Sequence, residues 1–439
     1  AIYRQLLDNL LGSGRHMVIR VGGSAMDKNK TAIDEQVRPL AELYKDLSQP
    51  EPRVSFILGV NLGANDIALA SRQTDTWVKG MPLGSISAIE PGTQPNTYPA
   101  LNYRPAGYSF TDYLTELQKF TQGIQTAVPV SPKFMGPSVA VSGTVSPSPR
   151  GFGTAANLQK LVQLPHLGIA SQTASGGLGS GCGGTPQSGM LLQPAAIESP
   201  GQIAPLVRIA KAANKPFRIA ELSTLSCSGE AGISNAFESA LWVTDILFEY
   251  ARAGVSGVHV HTNNWNATGW DMNAAFLFEV PEAQYQAANT VPPPAETSFS
   301  SEYRLKSVLP LYYGMLFFAE ATNRASLIPA QLNTTANIKA WATIDQTSDE
   351  LKIAVINKEQ DLLGKIQLVV PGYRAGTVKR LMAPSIRSQN GITFGGLTFD
   401  GSTDGKPIGK EDLEEVNARG EQFEIALGPG SALLITFKK

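Results

Sequence analysis

Residues 216–262 constrain the fold more than any other part of this sequence. A short apolar run at 216–220 ends in Glu221, a loop rich in Ser and Gly follows at 222–229, an amphipathic helical pattern covers 234–253, and a second strand-like run covers 257–262. Such a β-loop-α-β unit indicates a parallel sheet covered by helices. Catalytic groups of parallel barrels lie at the carboxyl ends of the strands, which makes Glu221 a candidate catalytic residue. Position alone leaves a purely structural carboxylate as an equal alternative.

The same alternation of strands and helices extends over the first three-quarters of the chain. Further apolar runs of strand length occur at 17–21, 54–60, 86–89, 133–136 and 167–170, with helical patterns between most of them. The pattern predicts a (β/α)8 barrel of the TIM type, because no Gly-rich phosphate loop follows an early strand. Only seven strands are found, and the chain opens on a helical pattern at 2–11. We therefore expect the first barrel strand to lie upstream of residue 1, or the barrel to be completed in another way.

The pattern of apolar and polar residues changes near residue 327. Short runs separated by turn residues follow, and several of them alternate apolar and polar side chains. This pattern predicts a C-terminal antiparallel β-sandwich. We expect a barrel domain at 1–325 and a sandwich domain at 326–439.

Charge and composition narrow the class of partner. The chain has 36 Lys+Arg and 37 Asp+Glu, so that its formal net charge is -1, which argues against nucleic acid as the main partner. No segment is apolar over the length of a membrane span. The low charged fraction of 17% favours a secreted, extracellular or periplasmic protein whose leader has been removed.

The cysteines and histidines suggest structural roles. Cys182 and Cys227 lie in Gly- and Ser-rich loops, which favours a disulfide between two loops of one barrel rim over two buried free thiols. His259 and His261 alternate on one strand and share a face, but no third ligand is in register with them. We predict no metal and no cofactor, and a structural or sugar-contacting role for these histidines.

Several motifs together resemble glycoside hydrolase family 79, the family of β-glucuronidases and heparanases. The similar segments cover nearly the whole chain and include residues 20–24, 221–229, 234–242, 311–319 and 391–396. The family consists of retaining glycosidases, so the resemblance implies two carboxyl groups about 5–5.5 Å apart. Glu221 matches the nucleophile of the family. The resemblance also implies a carbohydrate, possibly a uronide, as the ligand.

The chain departs from the family where the acid/base is expected. The family motif Glu-[Ile/Leu]-Gly-Asn-Glu-Pro corresponds here to residues 90–95, in which Thr93 replaces the Asn and Gln94 replaces the catalytic Glu. Other sugar-facing positions also differ or carry candidate contacts; they are Ser171, Gln172, Ser223, His261 and Trp265. Glu90 is expected to support the barrel.

Three interpretations of these departures remain open. Gln94 could be a knockout of an active enzyme, or the chain could be a glycosidase whose leaving groups need no protonation. Alternatively, catalysis has been lost, and the protein is an extracellular structural, self-assembling or carbohydrate-binding module. Because fold does not fix function, the sequence leaves these alternatives open.

Overall fold

The computed structural model describes residues 1–12, 15–30, 33–48, 53–129, 132–140, 151–262, 265–266, 269–270, 272–279 and 304–438. These residues form a parallel barrel surrounded by helices, followed by antiparallel sheets. The predicted fold class is therefore confirmed.

Seven parallel strands lie side by side in chain order. They are β1 Met17–Val21, β2 Val54–Val60, β3 Ile86–Pro91, β4 Phe134–Val139, β5 Leu167–Ser175, β6 Phe217–Ser223 and β7 Gly257–Val260. Every residue of β2 and of β4 is buried, as expected for strands covered on both faces. The strands enclose a separate cluster of apolar side chains, including Ile57, Met135 and Ala220.

The barrel is nearly closed. Cα atoms of β1 and β7 come within 8 Å of each other, but in the described part of the chain neither strand has a hydrogen-bonded neighbour on its outer side. All five residues of β1 are only partly buried, unlike those of β2. The seven strands found from sequence are thus the strands of the sheet.

In the described part of the chain, nine helices accompany the barrel strands. They are α1 Ile2–Leu11, α2 Ser24–Lys28, α3 Asp34–Leu47, α4 Ile67–Gly80, α5 Phe110–Ala127, α6 Ala155–Leu161, α7 Ser199–Ala212, α8 Phe237–Ala253 and α9 Pro310–Ala321. Among the described residues, no helix has both the length and the apolar character needed to cross a membrane. The sequence analysis did not predict α4, whose first turn is capped by the Asp66 side chain accepting from the Leu69 N–H.

The other strands of the described residues pair in antiparallel fashion. Two short pairs, β8 Trp265–Asn266 with β9 Gly269–Trp270 and β10 Phe276–Glu279 with β11 Arg304–Val308, precede α9. A nine-stranded sheet follows; its strands are β12 Ser326–Ile328, β13 Ile338–Asp345, β14 Glu350–Asn357, β16 Ala375–Met382, β17 Thr393–Phe394, β18 Leu397–Thr398, β19 Ile408–Gly409, β20 Glu414–Asn417 and β22 Ser431–Phe437.

A two-stranded sheet, β15 Gly364–Val369 with β21 Gln422–Leu427, packs onto the nine-stranded one. Phe423 and Ile425 of β21 share one core cluster with Leu433 and Phe437 of β22. Buried and exposed residues alternate along β21, as expected for a sheet with one face in the core. The division into 1–325 and 326–439 stays a prediction.

Candidate active site

Glu221 lies near the carboxyl end of β6 and faces two potential cations. Its Oε2 lies 3.6 Å from Nη1 of Arg20 on β1, and its Oε1 lies 3.5 Å from Nδ1 of His261, just after β7. About 29% of the Glu221 side chain is exposed, whereas that of Arg20 is only 7% exposed. The carboxylate is therefore accessible from the rim while its charge is stabilised from within the barrel.

These neighbours determine the protonation state of Glu221. Burial by itself raises the pKa of the carboxyl group, but the hydrogen bond and charge of His261 and the charge of Arg20 outweigh it, so that the pKa lies below its ordinary value. Glu221 is thus ionised at neutral pH. An ionised, partly exposed carboxylate at a strand end can act as a nucleophile.

Arg20 links Glu221 to the end of β3. Its Nε donates to Glu90 Oε2 at 2.7 Å, and its Nη2 donates to Thr93 Oγ1 at 3.1 Å. Glu90 is 1% exposed, and its other oxygen accepts from the Ser138 hydroxyl. One guanidinium group therefore contacts Glu90, Thr93 and Glu221 and brings two strand ends onto one rim.

Gln94 follows Thr93 directly and has an unusual backbone. It is left-handed, with φ 47° and ψ 51°, and it precedes a short 3-10 turn at Pro95–Thr97. Its N–H donates to the Ser138 carbonyl at 3.1 Å, and its own carbonyl accepts from the Thr97 N–H at 2.8 Å. Gln94, for which the sequence analysis predicts the acid/base position, carries an amide side chain, and an amide cannot transfer a proton at neutral pH.

The remaining predicted site residues have different surroundings. Ser171 is buried and lies 2.9 Å from the Ser138 hydroxyl, and so joins the group around Glu90. Gln172, like Ser171, lines a small cavity with Phe152 and Leu206, between β4, β5 and the helices outside them. Ser223 is buried at the end of β6. The sugar contacts expected of Ser171, Gln172 and Ser223 stay predictions.

Trp265 is the remaining predicted contact. It lies in the two-residue strand β8, which pairs with β9. Its side chain lies outside the described part of the structure, so its expected sugar contact also stays a prediction.

The loop after Glu221 is held on two sides. Cys227 forms a disulfide with Cys182, with a Cα–Cα distance of 5.7 Å, as the sequence analysis preferred. On the other side the buried Asn273 side chain accepts from the Thr224 N–H at 3.1 Å and donates to the Leu225 carbonyl at 3.1 Å. The sequence carried no signal for Asn273, which lies 49 residues beyond Thr224.

His259 lies below this rim and plays a different part from His261. Arg218 Nε donates to His259 Nε2 at 3.0 Å. Burial, followed by the charges of Arg218 and Arg20, lowers the pKa of His259 well below its ordinary value. The ring is therefore neutral, with Nε2 as the acceptor. In the described part of the chain, no three His, Cys, Asp or Glu side chains are grouped to hold a metal ion.

Sequence comparisons relate this chain to β-glucuronidases. Residues 340–434 match the model of the glycosyl hydrolase family 79 C-terminal beta domain. A β-glucuronidase of Aspergillus niger is 27% identical over 305 residues, which are 61% of this chain and 55% of that protein. A β-glucuronidase of Neurospora crassa is 25% identical over 86% of this chain and 73% of its own length. The alignment thus spans little more than half of the Aspergillus relative.

Solved structures share the fold over almost the whole chain. A 4-O-α-L-rhamnosyl-β-D-glucuronidase of Fusarium oxysporum, in complex with Rha-GlcA, has a TM-score of 0.74 at 18% identity and covers 99% of this chain and 91% of its own. An arabinofuranosidase of Xanthomonas axonopodis has a TM-score of 0.65 at 10% identity, with coverages of 99% and 89%. Identities this low show the fold alone. The matched β domain and the two β-glucuronidase relatives support a relationship to glycoside hydrolase family 79, and the solved structures support the shared fold.

Proposed function

We propose that the chain is a retaining β-glycosidase of the β-glucuronidase type, with Glu221 as the nucleophile. The observation that carries this proposal is the partly exposed Glu221 carboxylate at the end of β6, whose pKa is lowered by His261 and Arg20. The names of the curated relatives support a β-glucuronide as the substrate class. In this proposal Glu221 attacks the anomeric carbon and forms a glycosyl-enzyme intermediate, which water then hydrolyses.

Gln94 makes the proposed activity depend on the leaving group. General acid/base assistance is typically worth about 10²–10⁴-fold, and an amide supplies none. Acidic alcohols and phenols can leave as anions, without being protonated. Their glycosides are therefore the substrates that we expect to react. Hydrolysis of the intermediate must also proceed without a general base, which makes that second step slow.

The first prediction tests Glu221 directly. With 2,4-dinitrophenyl β-D-glucuronide we expect a rapid release of one equivalent of phenol, followed by slow turnover that azide accelerates, because azide attacks the intermediate without a general base. Glu221→Gln should abolish both phases. Mass spectrometry of the trapped protein should find the sugar on the peptide that contains Glu221. If no phenol is released and no adduct forms, Glu221 is not a nucleophile.

The second prediction tests the residue at position 94. Gln94→Glu combined with Thr93→Asn should raise kcat for 4-methylumbelliferyl β-D-glucuronide by about 10²-fold or more, since the restored carboxyl group can protonate the departing oxygen. The dinitrophenyl substrate should gain much less in its first step. A control variant, Thr93→Asn alone, should gain little. Equal rates for all variants would mean that the pocket as a whole no longer supports hydrolysis.

A non-catalytic role is the second candidate, and the observation that favours it is the absence of a proton donor at Gln94. In that case the protein would be a carbohydrate-binding, structural or self-assembling module. Titration calorimetry with glucuronate and neutral sugars, together with light scattering, distinguishes these roles.

We also propose that the protein is secreted, on the support of the disulfide between Cys182 and Cys227.

A further inference from the structure

Asp27 on α2 is a buried carboxylate to which the proposed reaction assigns no role. Only 2% of its surface is exposed. One oxygen accepts from the N–H groups of Leu62 and Gly63 at 3.1 and 2.9 Å. The other accepts from the Thr93 N–H at 3.1 Å and from the Tyr98 hydroxyl at 2.8 Å. One carboxylate therefore joins α2 to the segments that follow β2 and β3.

The segment after β3 is a turn that needs such support. Gly92 has φ +66° and Gln94 has φ 47°, so two of three consecutive residues are left-handed. A side chain at Gly92 would meet Tyr98 Oη at 2.2 Å and Asp27 Oδ1 at 3.1 Å, which shows how closely these groups pack on the turn. Left-handed backbone at a residue other than glycine persists only where its surroundings hold it.

We infer that Asp27 is a positioning residue, which fixes the backbone of residue 94 relative to the Glu221 carboxylate. Asp27 accepts a hydrogen bond from the Thr93 N–H. Arg20 donates to the Thr93 hydroxyl oxygen at 3.1 Å, and its guanidinium group lies 3.6 Å from the Glu221 carboxylate. The backbone and the side chain of Thr93 are thus fixed by two different partners. The inference rests on the proposed function in treating residue 94 as the acid/base position.

The geometry suggests a specific substitution. Asp27→Asn keeps the shape of the side chain but replaces one acceptor oxygen by an NH₂ donor. Either the Leu62 and Gly63 N–H groups or the Thr93 N–H must then face a donor. Tyr98 can rotate its hydroxyl and accept instead, but a backbone N–H has no such freedom. Because Tyr98 can accept from the new NH₂ group, we expect that group to face Tyr98 and the Thr93 N–H, and the effect to concentrate at residues 92–94.

Hydrogen exchange of the whole chain tests this role without any substrate. In Asp27→Asn we expect the amides of residues 92–94 to exchange about tenfold faster or more, with the rest of the barrel within about twofold of the wild type. The matched control is Glu238→Gln, because Glu238 is also fully buried and accepts from the Gly189 and Leu191 N–H groups. That control should accelerate residues 189–191 and leave 92–94 unchanged. Uniform acceleration throughout the barrel, or none at 92–94, would overturn the inference.

Kinetics in the Gln94→Glu background supply a readout that a merely structural role would not move. Adding Asp27→Asn should lower kcat for 4-methylumbelliferyl β-D-glucuronide by about tenfold and leave KM within about twofold, because the restored acid is misplaced while binding is kept. Phenol release from the dinitrophenyl substrate should not change. Equal losses with both substrates would overturn the positioning role. If Glu221 is never labelled in the wild type, the proposed function fails, and the exchange pattern alone decides the role of Asp27.

Discussion

At the scale of single residues, the candidate site depends on one buried guanidinium group. Burial disfavours the charge of Arg20, but Glu90 and Glu221 outweigh this and raise its pKa above the ordinary value. Glu90 is the fully buried partner, and Glu221 is the partly exposed one. Of the two carboxylates, only Glu221 is both charged and open to a ligand.

The pH dependence of stability provides a prediction about Glu221. A carboxyl group whose pKa is lowered by folding stabilises the fold above its unfolded pKa, here 4.5, and this stabilisation is lost as the pH falls through the folded value. The difference in unfolding free energy between the wild type and Glu221→Gln should therefore shrink as the pH falls from 6 to about 3. Urea titrations at several pH values measure it.

Asp27 is the control for this measurement, because burial raises the pKa of its carboxyl group despite four hydrogen bonds. A raised pKa has the opposite effect on the pH dependence of stability. The unfolding free energy of the wild type relative to that of Asp27→Asn should therefore decrease as the pH rises above 3.8. Parallel pH curves for the wild type and Glu221→Gln would contradict the ionised state assigned to Glu221.

At the scale of elements, the strands were predictable from sequence, and most but not all of the connecting helices were. Continuous apolar runs predicted β2 and β6 within about two residues, because strands covered on both faces exclude polar side chains. Helix α4 was missed between two strands that were both recognised. Strand β5 was expected to end at residue 170, but it continues to Ser175 through polar residues, all of which are buried.

The residues of the candidate site could also be predicted only in part, for a physical reason. Glu221 could be found because it ends a strand, and Gln94 because its flanking residues match a motif. Asp27 and Asn273 could not be found, since most of their partners are backbone groups and a backbone group leaves no trace in the sequence. A carboxylate whose partners lie 35 and 66 residues away becomes visible only in the folded chain.

At the scale of the whole molecule, α8 joins the candidate site to the C-terminal sheets. The helix begins just after the loop that follows Glu221, and no side chain caps its N-terminus. Instead the N–H groups of Phe237 and Glu238 donate to the carbonyls of Ser388 and Ile386 at 2.8 and 2.9 Å. The connection between β16 and β17 therefore caps a helix of the barrel, and the barrel and the C-terminal sheets should unfold together.

A buried ion pair farther along α8 gives this expectation its test. Lys358 Nζ lies 2.8 Å from Asp245 Oδ2, and the two side chains are 1% and 0% exposed. Asp245 also accepts from Trp341 Nε1 at 3.3 Å. Lys358→Met should destabilise the protein by about 3–5 kcal/mol in urea unfolding, because it leaves a charge buried without its partner.

Two further variants distinguish the effect of leaving a buried charge unpaired from the effect of merely removing a lysine. Lys365→Met removes the exposed pair with Glu424 in the same sheets and should change the free energy of unfolding far less, because solvent screens an exposed ion pair. Lys358→Met combined with Asp245→Asn should recover much of the loss, since the amide is neutral and its oxygen can still accept from Trp341. In each variant, tryptophan fluorescence and far-UV circular dichroism should report one coincident transition. Two separate transitions in the wild type would mean that the barrel and the C-terminal sheets unfold independently, and that the contacts along α8 do not couple them.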